Sequence, residues 1–271
     1  MHFEKKTEAV SGYRHLEQQN SRQLLQWILD EQSQVPLIVA QSIQAIELLT
    51  DAVVDHLLAG GRLFYIGAGT SGRLGVLDAS ECPPTFGVSP DLVQGIIAGG
   101  ADALQRAVEF AEDHPEQGWQ DLQQAGIRQA DFVIGISASG TTPYVLAVLH
   151  RCKEAGISTG AIVCNQHSPI AQISDFPVQL ETGSEILTGS TRMKAGTAQK
   201  IVLTMLSTTI MIRLGRVEDN QLVHMQLSNE KLIDRGVSIL MQQTGLADPA
   251  AARQLLLQYG SVKKAMEACR S

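Results

Sequence analysis

The most constraining feature of this sequence is a series of short apolar segments that end in glycine or serine and alternate with longer segments. The clearest of them span residues 62–66, 92–98, 131–136 and 159–164. Short apolar runs bounded by turn residues are typical of strands buried on both faces. Strands that alternate with helices predict an α/β fold with a doubly wound, mostly parallel sheet. Such a sheet binds ligands at the carboxyl ends of its strands.

The helices are predicted from apolar spacing and from glycine and proline positions. The proline in segment 176–180 predicts an edge strand. We expect N-terminal helices, a sheet domain and a small C-terminal helical appendage, at residues 1–50, 51–216 and 217–271. The expected helices are an amphipathic one that includes residues 24–29, and others over residues 36–58, 101–113, 142–155, 191–214, 220–235, 250–259 and 262–269.

Composition limits the partners that the protein can have. The net charge is −7, aromatic residues make up 4% of the chain, and there is no long basic run. These values disfavour nucleic acid and an anionic membrane as partners. The four cysteines and seven histidines show no metal-ligand spacing, so we expect free thiols and no metal. The N-terminus lacks the apolar core of a secretory signal, which predicts a cytoplasmic protein.

The first glycine-rich loop, residues 67–73 (GAGTSGR), follows a predicted strand and opens a helix. It fits the G-x-G-x-x-G pattern of dinucleotide-binding proteins. That pattern also needs an acidic residue at the end of the next strand, and here this strand ends in Gly99-Gly100. The sequence therefore disfavours a nicotinamide cofactor.

A second loop carries four hydroxyl groups at the start of a helix. They belong to Ser137, Ser139, Thr141 and Thr142. The backbone N–H groups of a helix start are unpaired, and the helix dipole favours an anion there. Simple N-capping is the alternative, although a cap needs a single hydroxyl. Two hydroxyl-rich loops without a Walker lysine indicate a small phosphorylated ligand rather than a nucleotide.

Segment 183–200 (GSEILTGSTRMKAGTAQK) places Arg192 and Lys194 in the first turn of a helix that residues 189–191 are expected to cap. Cations there oppose the helix dipole unless an anion or a carboxylate is nearby, and a solvated surface pair is the alternative. The segment resembles a signature shared by N-acetylmuramic acid 6-phosphate etherases and the glucokinase regulatory protein. Segments 78–85 (DASECPPT), 107–113 (AVEFAED) and 228–232 (SNEKL) also resemble the etherases.

This resemblance implies a sugar-isomerase (SIS) fold and an etherase activity in cell-wall recycling. The family removes D-lactate from C3 of N-acetylmuramic acid 6-phosphate and leaves N-acetylglucosamine 6-phosphate. Elimination followed by addition of water needs one acid and one base, with no metal or redox cofactor. The resemblance implies that Glu81 is the acid and Glu112 the base, with Glu109 as a rival base. Each of these could also be an ordinary exposed glutamate.

The resemblance also implies which residues bind the sugar phosphate. In SIS proteins the second loop holds the phosphate, which assigns this role to the hydroxyl groups of Ser137, Ser139, Thr141 and Thr142. We expect Ser71 to lie near the sugar. Ser190 and Lys194 are further expected binding residues, and Lys194 and Arg192 are candidates to meet the substrate carboxylate or an enolate-like charge.

Two other functions are compatible with the same fold. A non-catalytic sugar-phosphate sensor, like the glucokinase regulatory protein, would keep both loops without needing both glutamates, and it usually has two SIS units. An aldose–ketose isomerase would need a base but no acid for a lactate leaving group. The presence of both Glu81 and Glu112 favours the etherase.

The spacing of Ser71 and Glu81 bears on the assembly. Ten residues of straight helix would separate them by roughly 15 Å, which is more than a hexose phosphate spans. Either the helix breaks early, near Gly75, or Glu81 completes the site of a second subunit. SIS domains commonly pair, so we expect a homodimer with sites at the subunit interface.

Overall fold

A computed structural model of the protein describes residues 3–270 and contains a five-stranded sheet. All of its strand pairs are parallel, and the strand order is β2-β1-β3-β4-β5. The predicted parallel α/β fold and the edge position of β5 are confirmed. The strands are β1 Leu63–Gly67, β2 Val93–Ile97, β3 Phe132–Ser137, β4 Ser158–Val163 and β5 Phe176–Gln179.

Helices cover both faces of this sheet. Because side chains alternate across a strand, the neighbours Phe64 and Tyr65 are buried in two different cores, one on each face. The helices are α1 Ser21–Ser33, α2 Val35–Gln41, α3 Ile43–Leu58, α4 Gly69–Phe86, α5 Pro115–Gln124, α6 Pro143–Glu154, α7 Pro169–Ile173, α8 Lys194–Arg213, α9 Glu230–Thr244, α10 Pro249–Tyr259 and α11 Val262–Arg270.

The last three helices enclose a core of their own, in which Leu240, Leu256 and Met266 are buried. The predicted helix over residues 220–235 is wrong as far as residue 229. Helix α9 begins only at Glu230, where the Asn229 side chain accepts the backbone N–H of Leu232 at 3.0 Å. The preceding segment lies against the end of α4, since the N–H of Gln226 donates to the carbonyl of Pro84 at 3.1 Å. The boundaries at residues 50 and 216 stay predictions.

The helix predicted over residues 36–58 is broken at Ser42. Its hydroxyl donates to the carbonyl of Gln179 at 2.9 Å, a contact with the edge strand that the sequence does not reveal. Of the described helices, none is long and apolar enough to cross a membrane alone. The pair Ser21–Gln41 and Ile43–Leu58 would pass that test only together, by length and composition, and it is bent by 61°.

The helix predicted over residues 101–113 is also wrong. This segment contains only the short 3₁₀ turns Ala101–Leu104 and Ala111–Asp113. The Arg73 side chain donates to the carbonyls of Leu104 and Arg106, at 3.3 and 3.4 Å, and an α-helix would use these carbonyls itself. Phe110 has a φ of 62°, a left-handed conformation that is uncommon for a bulky residue and ends any helix there.

Candidate active site

The candidate site is a cleft of about 570 Å³ at the carboxyl ends of β1 and β3. The chain runs outward in opposite directions from these two adjacent strands, so the cleft lies at the point where α/β sheets usually bind ligands. Its volume lies within the usual range for small-molecule sites. The cleft is lined by Lys5, Glu8, Ala68, Gly69, Thr70, Ser71, Glu112, Asp113, Ala138, Ser139, Thr141, Thr142, Pro143, Gly189 and Thr191.

The loop that carries Ser137, Ser139, Thr141 and Thr142 (the hydroxyl loop) forms one wall of the cleft. Hydrogen bonds within the loop hold its shape. The Ser137 hydroxyl accepts the N–H of Gly140 at 3.0 Å and lies 2.9 Å from the Thr142 hydroxyl. The Ser139 hydroxyl accepts the N–H of Thr141 at 3.2 Å. Gly140 has a φ of +73°, and a Cβ there would lie 2.3 Å from Ser168, so glycine is required. Ser137 is buried and shapes the loop rather than lining the cleft.

These hydroxyl groups do not act as ordinary helix caps. Helix α6 begins at Pro143, and the side chain of its N-cap residue Thr142 does not cap it. Thr142 and Pro143, the residues at this helix start, line the cleft together with Ser139 and Thr141. A helix start of this kind attracts anions, which favours the anion-binding interpretation of the loop over simple capping.

The first loop brings Ser71 to the same cleft. Ser71 is 7% exposed, and its hydroxyl donates to the side-chain oxygen of Gln199 in α8 at 2.9 Å. This bond fixes the start of α4 against α8. Ser71 therefore shares a cleft with the hydroxyl loop, with its oxygen already oriented, and its role beside the sugar stays a prediction.

Of the three candidate glutamates, only Glu112 lines the cleft beside the hydroxyl loop. It lies in the 3₁₀ turn that follows the left-handed Phe110. Glu109 lines a neighbouring cavity, which Glu112 also reaches. Glu112 is thus the candidate base that shares a cleft with the hydroxyl loop, and Asp113 beside it adds a second negative charge.

Glu81 does not line this cleft. Helix α4 runs without a break from Gly69 to Phe86, so the break near Gly75 that the sequence left open does not occur. Glu81 is exposed and lines a second cleft of about 350 Å³ between α4 and α8. Asp78, one turn earlier, lines that cleft too. Burial raises the pKa of the Asp78 carboxyl to about 6, against the effect of a hydrogen bond from Ser207.

Two carboxylates lie at the start of α8, those of Glu185 and Glu31. The Glu185 carboxylate accepts the backbone N–H groups of Lys194 and Ala195 at 2.9 and 2.8 Å. It caps α8, a role that the sequence assigned wrongly to residues 189–191. The Lys194 ammonium pairs with Glu31 of α1. Lys194 is 5% exposed and does not line the cleft.

Ser190 is half-buried in the loop before α8, between the cleft-lining residues Gly189 and Thr191. Arg192 is exposed at the same helix start. Ser190, Arg192 and Lys194 therefore stay predictions as ligand-binding residues.

Sequence reasoning missed the contribution of the N-terminal segment, which closes one side of the cleft. Thr7 is fully buried. Its N–H donates to the Asn165 side-chain oxygen at 3.1 Å, and the Asn165 amide returns a hydrogen bond to the Thr7 hydroxyl at 2.9 Å. Asn165 also donates to the carbonyls of Ala138 and Ser139. Asn165 thus joins the N-terminus to the hydroxyl loop. Its position just after β4 is the signal that could have revealed it.

Comparison with known proteins agrees with this architecture. A family model described as the glucokinase regulatory protein N-terminal SIS domain matches residues 42–153, and the SIS domain model matches residues 108–209. A protein from E. coli CFT073, solved as a complex, is 20% identical with a TM-score of 0.54 and covers 74% of this chain and 97% of its own. A Francisella tularensis phosphoheptose isomerase is 15% identical, with a TM-score of 0.54 and coverages of 72% and 100%. These two structures share the fold.

Much closer relatives exist at the sequence level. An N-acetylmuramic acid 6-phosphate etherase from Christiangramia forsetii is 53% identical, covering 97% of this chain and 95% of its own. One from Porphyromonas gingivalis strain W83 is 53% identical, with coverages of 99% and 97%. One from Geobacillus sp. strain WCH70 is 48% identical, with coverages of 93% and 85%. With about half of its residues identical over nearly its whole length, the chain belongs to the N-acetylmuramic acid 6-phosphate etherase family.

Proposed function

We propose that this protein cleaves the D-lactyl ether of N-acetylmuramic acid 6-phosphate and yields N-acetylglucosamine 6-phosphate and D-lactate. The observation that carries the proposal is the presence of the Glu112 carboxylate and the hydroxyl loop in one cleft. Such a cleft can hold a sugar by its phosphate and present a base to its ring. Family membership supplies the identity of the sugar.

The phosphate binds at Ser139, Thr141 and Thr142, beside the start of α6, where the helix dipole favours an anion. Ser137 holds this loop in shape through its bond with Gly140. The sugar then extends toward the start of α4, where Ser71 lies. This orientation brings C2 of the sugar toward Glu112.

The chemistry is an elimination followed by a hydration. In the open-chain sugar, the C1 aldehyde acidifies the proton on C2. The Glu112 carboxylate takes this proton, and the C2–H electron pair forms an enolate with the C1 carbonyl. This pair then becomes a C2–C3 double bond as the C3–O bond breaks and the Glu81 carboxyl protonates the leaving lactate oxygen. Water then adds its oxygen at C3, and a proton returns to C2.

The acid comes from a second copy of the chain. Glu81 lies twelve residues after the start of α4, which places it roughly 18 Å along the helix from the first loop. Among the described residues, the two clefts share no lining residue. The cleft lined by Glu112 and the hydroxyl loop is the main cleft. A two-fold homodimer that brings the α4–α8 face of one subunit to the main cleft of the other would form two equivalent sites. This arrangement supports both glutamates in one reaction.

The decisive experiment is incubation of the protein with N-acetylmuramic acid 6-phosphate in ¹⁸O-labelled water. We expect D-lactate release, with ¹⁸O at C3 of the product sugar and none in the ether oxygen of lactate. Label in that lactate oxygen would contradict the route. Binding without any release would favour the sugar-phosphate sensor, and conversion of an aldose phosphate to a ketose phosphate would favour the isomerase.

A further inference from the structure

The charge of the main cleft poses a problem for an anionic substrate. The lining includes three acidic side chains, Glu8, Glu112 and Asp113. Among the described residues that line it, Lys5 is the only lysine or arginine. A sugar phosphate that also carries a lactyl carboxylate brings two anionic groups into this cleft. The hydroxyl loop and the start of α6 can hold one of them, mostly with neutral donors.

The Lys5 ammonium is available for such a group. Lys5 is exposed, and within residues 3–270 its ammonium forms no salt bridge with a carboxylate. Its neighbour Lys6 differs in this respect, since the Lys6 ammonium pairs with Glu181 on the surface and does not line the cleft. Two adjacent lysines thus have different environments, one facing the cleft and one facing away from it.

The backbone that carries Lys5 is fixed to the rest of the site. Thr7, two residues later, is buried. It donates one hydrogen bond to the side chain of Asn165 and accepts another from it. Further along, the N–H of Ser11 donates to the Thr188 hydroxyl at 2.9 Å, next to the cleft-lining Gly189. The segment is therefore anchored to both the hydroxyl loop and the loop before α8. Only the Lys5 side chain itself has to order when a ligand binds.

We propose that Lys5 binds an anionic group of the substrate, either the phosphate or the lactyl carboxylate. This inference rests on the proposed function for the identity of the substrate, and it makes the N-terminal segment part of the binding site. A charged hydrogen bond inside a cleft contributes more than a surface ion pair. Loss of the Lys5 charge is expected to weaken binding about tenfold, which equals 1.4 kcal/mol.

The test compares Lys5→Gln with Lys6→Gln and Lys5→Arg, with dissociation constants for N-acetylmuramic acid 6-phosphate and N-acetylglucosamine 6-phosphate measured by calorimetry. Substrate binding is measured in chains that also carry Glu112→Gln, so that turnover does not interfere. We expect about tenfold weaker substrate binding for Lys5→Gln, near-normal binding for Lys6→Gln, and recovery with Lys5→Arg. Weaker binding of both ligands assigns Lys5 to the phosphate, and weaker binding of the substrate alone assigns it to the carboxylate.

Two results would overturn the proposal. One is unchanged binding of both ligands by Lys5→Gln. The other is an equal loss in Lys6→Gln, which would mean that the segment is displaced and that the Lys5 ammonium has no role of its own. Neither result depends on lactate release, so a failure of the proposed reaction is recognised separately, by the absence of turnover in the unmodified protein.

Discussion

Glu81 and Glu112 line two different clefts of one chain, although the proposed reaction needs both carboxyl groups at one sugar. The unbroken helix α4 is the reason, because it carries Glu81 away from the loop at its own start. The α4–α8 face around Glu81 also exposes Leu77, a residue that is 51% exposed. A second subunit that covers this face would bury the apolar surface and supply the missing acid at the same time.

Replacing each of the two glutamates with glutamine should block a different step of the reaction. Glu112→Gln removes the base, so we expect loss of both lactate release and exchange of the substrate C2 proton with deuterated solvent. Glu81→Gln removes only the acid, so C2 exchange should continue while lactate release falls. Loss of a general acid or base typically costs about 10²–10⁴-fold in rate. Proton NMR of the substrate and a lactate assay measure the two steps.

Glu109→Gln is the matched control for these variants, because Glu109 lines the neighbouring cavity and not the cleft beside the hydroxyl loop. It should release lactate at close to the wild-type rate. If Glu109→Gln instead abolished C2 exchange while Glu112→Gln retained it, the assignment of the base would have to move to Glu109.

Ser139→Ala should raise the KM for the substrate several-fold with a smaller effect on kcat. Ser139 lines the cleft and its hydroxyl accepts the N–H of Thr141, so the loss of this hydroxyl removes a phosphate donor and loosens the loop. Steady-state kinetics give both constants. Ser238→Ala in the exposed part of α9 is a serine control remote from the cleft. An unchanged KM for Ser139→Ala would count against phosphate binding by this loop.

Asp78 should make the stability of the protein depend on pH. Burial raises its pKa from 3.8 to about 6. Below pH 4 the carboxyl is protonated in both the folded and unfolded states. Between about pH 4 and pH 6 only the unfolded chain loses the proton, so this group makes folding less favourable as the pH rises, and the penalty is complete above pH 6.

The free energy of unfolding of Asp78→Asn, relative to that of the wild type, should therefore increase as the pH rises from 4 to 7. The increase should be at most about 3 kcal/mol for a shift of this size. Urea unfolding of both proteins at the two pH values gives the difference in free energy of unfolding. A difference that is the same at pH 4 and pH 7 would show that Asp78 does not titrate in this way.

The strands and the positions of both loops at the strand ends could be predicted from the sequence because local patterns encode them. Gly67 and Ser137 each end an apolar run, and a parallel sheet brings such ends to one edge. The interpretation of residues 101–113 failed because a distant side chain, that of Arg73, binds the carbonyls of Leu104 and Arg106. Helix propensity does not contain this information.

The rest of the site depends on contacts between residues far apart in the chain. Thr7 and Asn165 are 158 positions apart. Lys194 and Glu31, which form an ion pair, are 163 positions apart. No local pattern indicates that the N-terminal segment closes the cleft, or that Lys194 is held by a carboxylate from α1. The position of Glu81 relative to Glu112 is likewise a matter of tertiary structure and assembly.

The most direct test of a shared site is complementation between two inactive variants. Chains with Glu81→Gln and chains with Glu112→Gln are unfolded together, refolded as a mixture and assayed for lactate release. Random pairing makes half of the dimers mixed, and one of the two sites in each mixed dimer carries neither change, so about a quarter of the wild-type activity should return. If mixed dimers form and no activity returns, Glu81 acts within its own subunit and the proposed shared site is wrong.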